Sequence, residues 1–296
     1  MVSHVLRRPW GSLAVAGTLV AALCACGGAV QQAGTPTAAS APTTPPPSSA
    51  TSSAPAPPPS SAPPATTTTT TPAAKAKANP PPGRVVVLDP GHNGGNASHA
   101  AQINAPVPDG RGRTKPCNTT GTSTNAGYTE HAFTWDVANR VRDLLTARGV
   151  TVIMTRQNDT GVGPCVNDRA AMANQANPAA EVSIHADGST AAGARGFHVA
   201  YSAPPLNAAQ GEPSLRLARA LRDGLTSAGF PQSNYIGSAG LSPRNDLAGL
   251  NFATKPAALV ECANMRDAGE AATVSSAEGR QRYAAAIADG ILAYLA

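Results

Sequence analysis

The chain has 296 residues, including 28 glycines and 28 prolines, and only 4% of the residues are aromatic. Its window 33–82 consists almost wholly of Pro, Ala, Ser and Thr, with Lys75 and Lys77 as the charged residues. Such a segment cannot bury enough apolar surface to offset its ordering entropy. We therefore expect a disordered linker over 27–82 and exclude a chain that is folded throughout.

Most of the positive net charge of +5 comes from the first part of the chain. Four of the 22 basic residues precede residue 83 and all 17 acidic residues follow it, which leaves 18 basic against 17 acidic residues in 83–296. A nearly neutral segment of this size predicts one folded domain with a full core. It gives no reason to expect binding to nucleic acid.

The first 26 residues have the pattern of a signal peptide. Arg7 and Arg8 precede an apolar run over 13–23, which is too short to span a bilayer comfortably. The run ends in LCACG over 23–27, which resembles a bacterial lipobox with Cys26 as the lipidated residue. We expect an exported protein of the cell envelope, either lipid-anchored through Cys26 to the outer face of the plasma membrane or secreted after ordinary cleavage.

Two further cysteines are expected to form a disulfide. Cys117 and Cys165 lie in loop-like sequence rich in Gly, Thr and Pro, and an exported protein meets oxidising conditions. The bond would close a loop of about 49 residues, which is worth on the order of 4 kcal/mol in the chain-entropy model. Cys262 lies in an apolar run and is expected to be a buried free thiol.

Strands and helices alternate from residue 84 onwards. The β-branched run RVVVLD over 84–89 predicts a strand buried on both faces. Apolar residues at every fourth position from Phe133 to Leu145 predict an amphipathic helix ending before Gly149. Similar patterns predict strands at 150–154, 181–185, 196–201 and 257–261, and helices at 166–177, around 217–225 and from a capping box of Ser275 and Glu278 through Leu295.

This order predicts an α/β fold. A single domain would contain a mostly parallel, twisted sheet with helices on both faces. In such sheets the ligand site lies beyond the carboxyl ends of the strands. Three predicted strands end there in His92, His185 and Glu261.

Two imidazoles suit a zinc ion, and a catalytic zinc ion usually has three protein ligands. Glu130, His131, His99 and His198 are candidates for the third ligand. We favour Glu130 because it lies at the start of a helix, although its neighbour His131 is a close rival. Glu261 ends an apolar run, where an acidic residue is costly to bury without a role or a partner.

The domain contains six successive motifs: VVVLDPGHNGG (85–95), GYTEHAFTWDVANRVRDLL (127–145), GVTVIMTRQND (149–159), VNDRAAMANQAN (166–177), EVSIHAD (181–187) and KPAALVECAN (255–264). In this order they resemble the motifs of the zinc-dependent N-acetylmuramoyl-L-alanine amidases with a type 3 amidase domain. The loop CNTTGTSTNAGY and the segment GFHVAYSAPPLN resemble the mycobacterial-type members in particular.

The resemblance implies that residues 83–296 form a zinc amidase domain acting on peptidoglycan. It selects His92, Glu130 and His185 as ligands of one Zn²⁺ ion per chain and Glu261 as the general acid and base. The bond cut would join the lactyl group of N-acetylmuramic acid to L-alanine of the stem peptide. The loop between His92 and Glu130 is long for the family, which suggests a flap held by the disulfide.

Further assignments concern polar residues outside the ligand set. Asp89 would orient a ligand histidine or cap a loop, Arg156 would tie loops to carboxylates, and Arg244 would contact the stem peptide. His99 and His198 are otherwise expected to be solvated or locally hydrogen-bonded. We expect a monomer. The alternatives to an amidase are a catalytically silent module that binds muropeptides and recruits other envelope enzymes, and a zinc peptidase acting on stem peptides.

Overall fold

A computed structural model describes residues 84–296. The predicted leader 1–26, the predicted linker 27–82 and the predicted lipidation site Cys26 lie outside the described residues. Within 84–296, no helix combines the length and the apolar character that a bilayer span requires.

The described chain contains a six-stranded sheet in the order β4-β1-β5-β8-β6-β7. The first four strands in this order are parallel, whereas β6 runs antiparallel to β8 and parallel to β7. A separate two-stranded antiparallel hairpin pairs β2 with β3. The strands are β1 (Val85–Pro90), β2 (Pro106–Pro108), β3 (Thr114–Pro116), β4 (Thr151–Met154), β5 (Ala180–Asp187), β6 (His198–Ser202), β7 (Leu241–Arg244) and β8 (Ala257–Asn264).

Helices cover both faces of the sheet, as predicted. On one face α2 and α4 pack against the strands and α7 packs against both of these helices, and on the other face α3 and α5 pack against each other and against the strands. The α-helices are α1 (Ala100–Ile103), α2 (Glu130–Ala147), α3 (Val166–Ala176), α4 (Glu212–Ser227), α5 (Ala248–Phe252), α6 (Ala268–Ser275) and α7 (Ala277–Leu295). The predicted α/β fold is therefore confirmed.

The two faces of the sheet differ in polarity. Val182 and Ile184 of β5 lie in the main apolar core with the first group of helices. Because strand side chains alternate, Glu181, Ser183 and His185 point to the opposite face. That face also carries a small apolar cluster of Ala200, Leu250, Ala253, Ala257 and Leu259. The sheet thus buries one face in apolar packing and leaves polar side chains on the other.

Two details of the predicted elements are wrong. The cap of α7 is Ser276, whose side chain accepts a hydrogen bond from the Gly279 N–H, whereas Ser275 is the last residue of α6. The second of two adjacent serines caps the helix because only it adopts extended backbone geometry between the two helices. No strand or helix is predicted between the helix around 217–225 and the strand at 257–261, yet this stretch contains β7 and α5, which are too short to give a periodic pattern.

Candidate metal centre and active site

Three side chains from three elements meet at the carboxyl ends of the parallel strands. His92 follows β1, Glu130 begins α2 and His185 lies near the end of β5. Glu130 Oε1 is 3.1 Å from His92 Nε2 and 3.0 Å from His185 Nδ1. One ligand atom from each residue lies within 4.8 Å of the other two, so the group could hold a metal ion.

The backbone between β1 and His92 is shaped for this approach. His92 has a φ of 60°, a left-handed conformation that is unfavourable for a residue with a side chain. Arg169 donates a hydrogen bond of 2.7 Å to the His92 carbonyl oxygen and holds the turn. Gly91 leaves room for the His185 ring, since a Cβ atom there would lie 2.2 Å from it.

Hydrogen bonds orient the Glu130 carboxylate. Its Oε2 accepts from the Thr122 N–H at 2.9 Å, and its Oε1 accepts from the Ala186 N–H at 3.1 Å. Burial raises the pKa of Glu130, but the imidazoles of His92 and His185 outweigh burial and hold the pKa well below its usual range. The carboxylate is therefore kept in the charged form in which it can bind a cation.

Glu261 lies beside this group. On β8 it is paired in register with His185 on β5, and both line one cavity of about 500 Å³ with His92 and Glu130. Glu261 Oε2 is buried without a hydrogen-bond partner among residues 84–296. Burial raises the pKa of Glu261, and the nearby Glu130 carboxylate raises it further.

Comparison with known proteins identifies the family to which the described residues belong. Residues 86–293 match the family model of N-acetylmuramoyl-L-alanine amidases. The chain belongs to this family. It is 54% identical over 214 residues to the N-acetylmuramoyl-L-alanine amidase Rv3717 of Mycobacterium tuberculosis, covering 72% of this chain and 87% of that protein.

Solved structures agree with this assignment. The amidase Ami1 of Mycobacterium smegmatis matches with a TM-score of 0.70 and 55% identity, covering 72% of this chain and 97% of that one. The amidase AmiC2 of Nostoc punctiforme matches with a TM-score of 0.54 and 25% identity, covering 71% and 96%. The chain is therefore an N-acetylmuramoyl-L-alanine amidase, and the silent binding module is not favoured.

Asp89 does not orient a ligand histidine of the amidase through its side chain. It accepts hydrogen bonds from Thr155 at 2.6 Å, Arg169 at 2.8 Å and Ser183 at 2.7 Å. Burial raises the pKa of Asp89, but the Arg169 guanidinium and these hydrogen bonds outweigh it, so the pKa is lowered. Asp89 therefore holds Arg169, which in turn holds the His92 backbone.

Arg156 ties loops together in the amidase, as predicted. It pairs with Asp159 at 2.9 Å and donates to the carbonyl oxygens of Pro90 and His131. Arg156 is not among the residues that line the cavity. Its contacts are those of a residue that holds the β1 loop against the start of α2.

Arg244 is not among the residues that line the cavity either, and its contact with the stem peptide stays a prediction. It ends β7 and pairs with Asp246 at 2.6 Å. Because β6 and β7 run opposite to β8, the backbone of Arg244 lies level with the beginning of β8 and not with Glu261. The sequence pattern does not show that β6 and β7 run antiparallel to β8.

The remaining candidate ligands lie outside the metal group. His131 Nδ1 bonds to Asp159 Oδ2 at 2.8 Å, so its side chain turns away from the position that Glu130 occupies. His99 is exposed and bonds to the Gly95 carbonyl oxygen at 2.8 Å. His198 is buried, and neither ring nitrogen has a partner among the described residues. The expectation of a solvated or locally bonded His198 is therefore wrong.

The predicted disulfide between Cys117 and Cys165 is present, and Cys262 is a buried free cysteine. The bond joins the loop before α2 to the residue that precedes α3. Pro116, Asn118 and Thr119, which flank Cys117, line the cavity. The covalent link thus holds one wall of the cavity against the helix that carries Arg169.

Sequence reasoning missed Glu181 as part of the cavity. Its side chain is buried on the polar face of β5, and Oε2 has no hydrogen-bond partner within 84–296. Burial raises the pKa of Glu181 well above its usual range, and the Asp89 carboxylate adds to this. The alternation of β5 places Glu181 on the same face as His185, which is the signal that could have identified it.

Proposed function

We propose that this amidase uses one zinc ion per chain to hydrolyse the amide bond between the lactyl group of N-acetylmuramic acid and L-alanine of the peptidoglycan stem peptide. The observation that carries the proposal is the meeting of His92, Glu130 and His185 beside Glu261 in the lining of a single cavity. The family match over 86–293 supports the same bond as the target.

The donor set fits zinc. Two imidazoles and one carboxylate are a ligand set found in zinc hydrolases, and three protein ligands leave a position open for the reaction. His92 Nδ1 lies 3.1 Å from the Thr119 carbonyl oxygen, which favours an N–H there and leaves Nε2 free to bind the ion. Backbone N–H groups hold Glu130 in place in the same way. His92, Glu130 and His185 would therefore hold the ion.

A bound zinc ion supplies Lewis acidity, which polarises a carbonyl oxygen and makes water reactive near neutral pH. The residues of the chain supply the proton transfers. The Glu261 carboxylate accepts a proton from the attacking water and delivers it to the amide nitrogen as the C–N bond breaks. The products are a lactyl carboxylic acid and a stem peptide with a free amino terminus on L-alanine.

The cavity has the size and lining that a muropeptide needs. Its volume of about 500 Å³ lies in the range of small-molecule sites. Apolar side chains of Leu247, Leu250 and Leu259 contribute to the lining, and Lys115 adds a positive charge to it. Stem peptides carry carboxylates and small apolar side chains, so both kinds of contact are available to the substrate.

Product analysis tests the reaction. We would incubate the purified chain with muropeptides of known composition and identify the products by mass. Free stem peptide beginning with L-alanine is the expected product. It should disappear on zinc chelation, and its rate of formation should fall about 10²-fold to 10⁴-fold in Glu261→Gln. Glu278→Gln, which alters an exposed carboxylate on α7, is the matched control and should retain activity. Cleavage between two stem-peptide residues would instead identify a peptidase.

Metal content provides a readout that does not depend on turnover. Elemental analysis of the purified chain should give one zinc ion per molecule, and Glu130→Gln should reduce the occupancy strongly. Glu261→Gln should retain the ion, because Glu261 is assigned to proton transfer and not to zinc binding. Retention of zinc by Glu130→Gln would contradict the assignment of Glu130 as a ligand. It would not contradict the amidase reaction, which the product analysis tests separately.

We further propose that the protein works in the cell envelope and is anchored by a lipid on Cys26. Peptidoglycan lies outside the cytoplasm, and the lipobox-like ending of the leader places Cys26 at the position for lipidation. Cys26→Ser should move the protein from the membrane fraction to the soluble fraction. Cys24→Ser, two residues earlier, is the control and should leave the distribution unchanged.

A further inference from the structure

Three titratable side chains form one row across neighbouring strands. His185 on β5 is paired with Glu261 on β8, which is paired in turn with His198 on β6. Directly opposite residues in antiparallel strands point to the same face with Cβ atoms about 5 Å apart. Val199 and Val260 belong to the main core, so His198 and Glu261 both point to the polar face.

Both Glu261 and His198 have buried polar atoms without a hydrogen-bond partner among the described residues. His198 is 1% exposed, and neither of its ring nitrogens nor Glu261 Oε2 has a hydrogen-bond partner within 84–296. Buried polar groups rarely lack partners, because leaving them unpaired is costly. The His198 ring can donate an N–H, and Glu261 Oε2 can accept a hydrogen bond, so each residue supplies the kind of partner that the other lacks.

The surrounding polar groups are engaged elsewhere. The Tyr235 hydroxyl donates to Asp187 Oδ2 at 2.9 Å, and the Tyr235 ring meets the His198 ring edge to face at 6.3 Å. Arg244 is paired with Asp246. Burial lowers the pKa of His198 to about 4, so the ring is neutral at pH 7 and has one N–H donor to offer.

We propose that His198 is a positioning residue for Glu261: a ring N–H of His198 holds Glu261 Oε2 through one bridging water molecule and leaves Oε1 to carry the proton. This inference rests on the proposed role of Glu261 in proton transfer. His198 touches neither the metal group nor the reacting atoms. It acts by restricting the orientations of the carboxylate that delivers the proton.

The test compares variants that retain or lose a side-chain donor. His198→Phe retains a ring of similar size without an N–H, and His198→Leu is a second apolar replacement if phenylalanine does not fit. His198→Gln retains an N–H donor. We expect His198→Phe to lower kcat about 10-fold to 100-fold with KM and zinc content unchanged, and His198→Gln to recover most of the loss. His99→Phe makes the same change at an exposed histidine and should have no effect.

A double variant separates positioning from a general structural role. If His198 acts through Glu261, adding His198→Phe to Glu261→Gln should cause no further loss of the residual rate. The proposal is overturned if His198→Phe retains the wild-type kcat, if His198→Gln is no better than His198→Phe, or if the losses multiply in the double variant. Full activity of Glu261→Gln alone would instead refute the proposed function.

Discussion

Replacing Asp89 by asparagine tests the buried ion pair that supports the site. The Asp89 carboxylate receives three side-chain hydrogen bonds and pairs with Arg169 at 2.8 Å. Only 12% of the Asp89 side chain and 4% of the Arg169 side chain are exposed. The asparagine side chain would keep the shape of the aspartate but would leave the Arg169 guanidinium buried without a negative partner.

The expected loss of stability is large. Removing one partner of a buried pair typically costs about 3–5 kcal/mol. Arg169 keeps its hydrogen bonds to the carbonyl oxygens of Pro90, His92 and Pro164, so we expect a value near the lower limit, about 3 kcal/mol for Asp89→Asn. The matched control is Glu212→Gln, which breaks the exposed pair with Arg219 and should cost less than about 1 kcal/mol.

Urea unfolding with the disulfide intact, followed by circular dichroism, measures both free energies. The pKa of Asp89 is lowered in the folded protein, so the stabilisation is present above the ordinary aspartate pKa of 3.8 and is lost as the pH falls through the folded value. The difference between wild type and Asp89→Asn should therefore be constant from pH 7 to pH 5 and shrink in stronger acid.

A double-variant cycle completes the test. Arg169→Met removes the cation, so the double variant with Asp89→Asn should lose less stability than the sum of the two single variants. A cost below about 1 kcal/mol for Asp89→Asn, the value typical of an exposed pair, would show that the pair is effectively solvated. Additive losses would show that the two side chains stabilise the domain independently, contrary to the reasoning.

Three further predictions concern the disulfide, the cavity and the metal group. Replacing Cys117 and Cys165 by serine should lower the free energy of unfolding by on the order of 4 kcal/mol in urea titrations, and an unchanged midpoint would contradict this. The pKa of Glu181 is raised in the folded protein, so the stability that protonated Glu181 contributes is lost as the pH rises above the pKa of the unfolded chain. The free energy of unfolding of Glu181→Gln should therefore fall less between pH 5 and pH 8 than that of the wild type. An equal fall in both proteins would refute the assignment. Gly91→Ala would place a Cβ atom 2.2 Å from the His185 ring and should weaken zinc binding in a chelator competition, whereas unchanged affinity would show that the ring can move aside.

The local sequence determines much of this domain. The β-branched run of β1 and the four-residue periodicity of α2 predict those elements because buried strands and amphipathic helices need these patterns of apolar residues. The same reasoning brings His92, His185 and Glu261 to one edge, since parallel strands end on the same side. Glu130 differs, because its selection over His131 depended on the family resemblance.

The tertiary structure decided the direction and the partners of the later strands. No local pattern shows that β6 runs against β8, yet this antiparallel pairing places His198 opposite Glu261 and sets the backbone of Arg244 level with the start of β8. Likewise, Asp89 and Arg169 are 80 positions apart in the chain, and only packing brings their charges together. Periodicity shows which residues are buried, whereas pairing between distant segments depends on the free energy of the whole fold. The hydrogen-bond partners of Asp89 and the position of His198 opposite Glu261 therefore could be identified only from the structure.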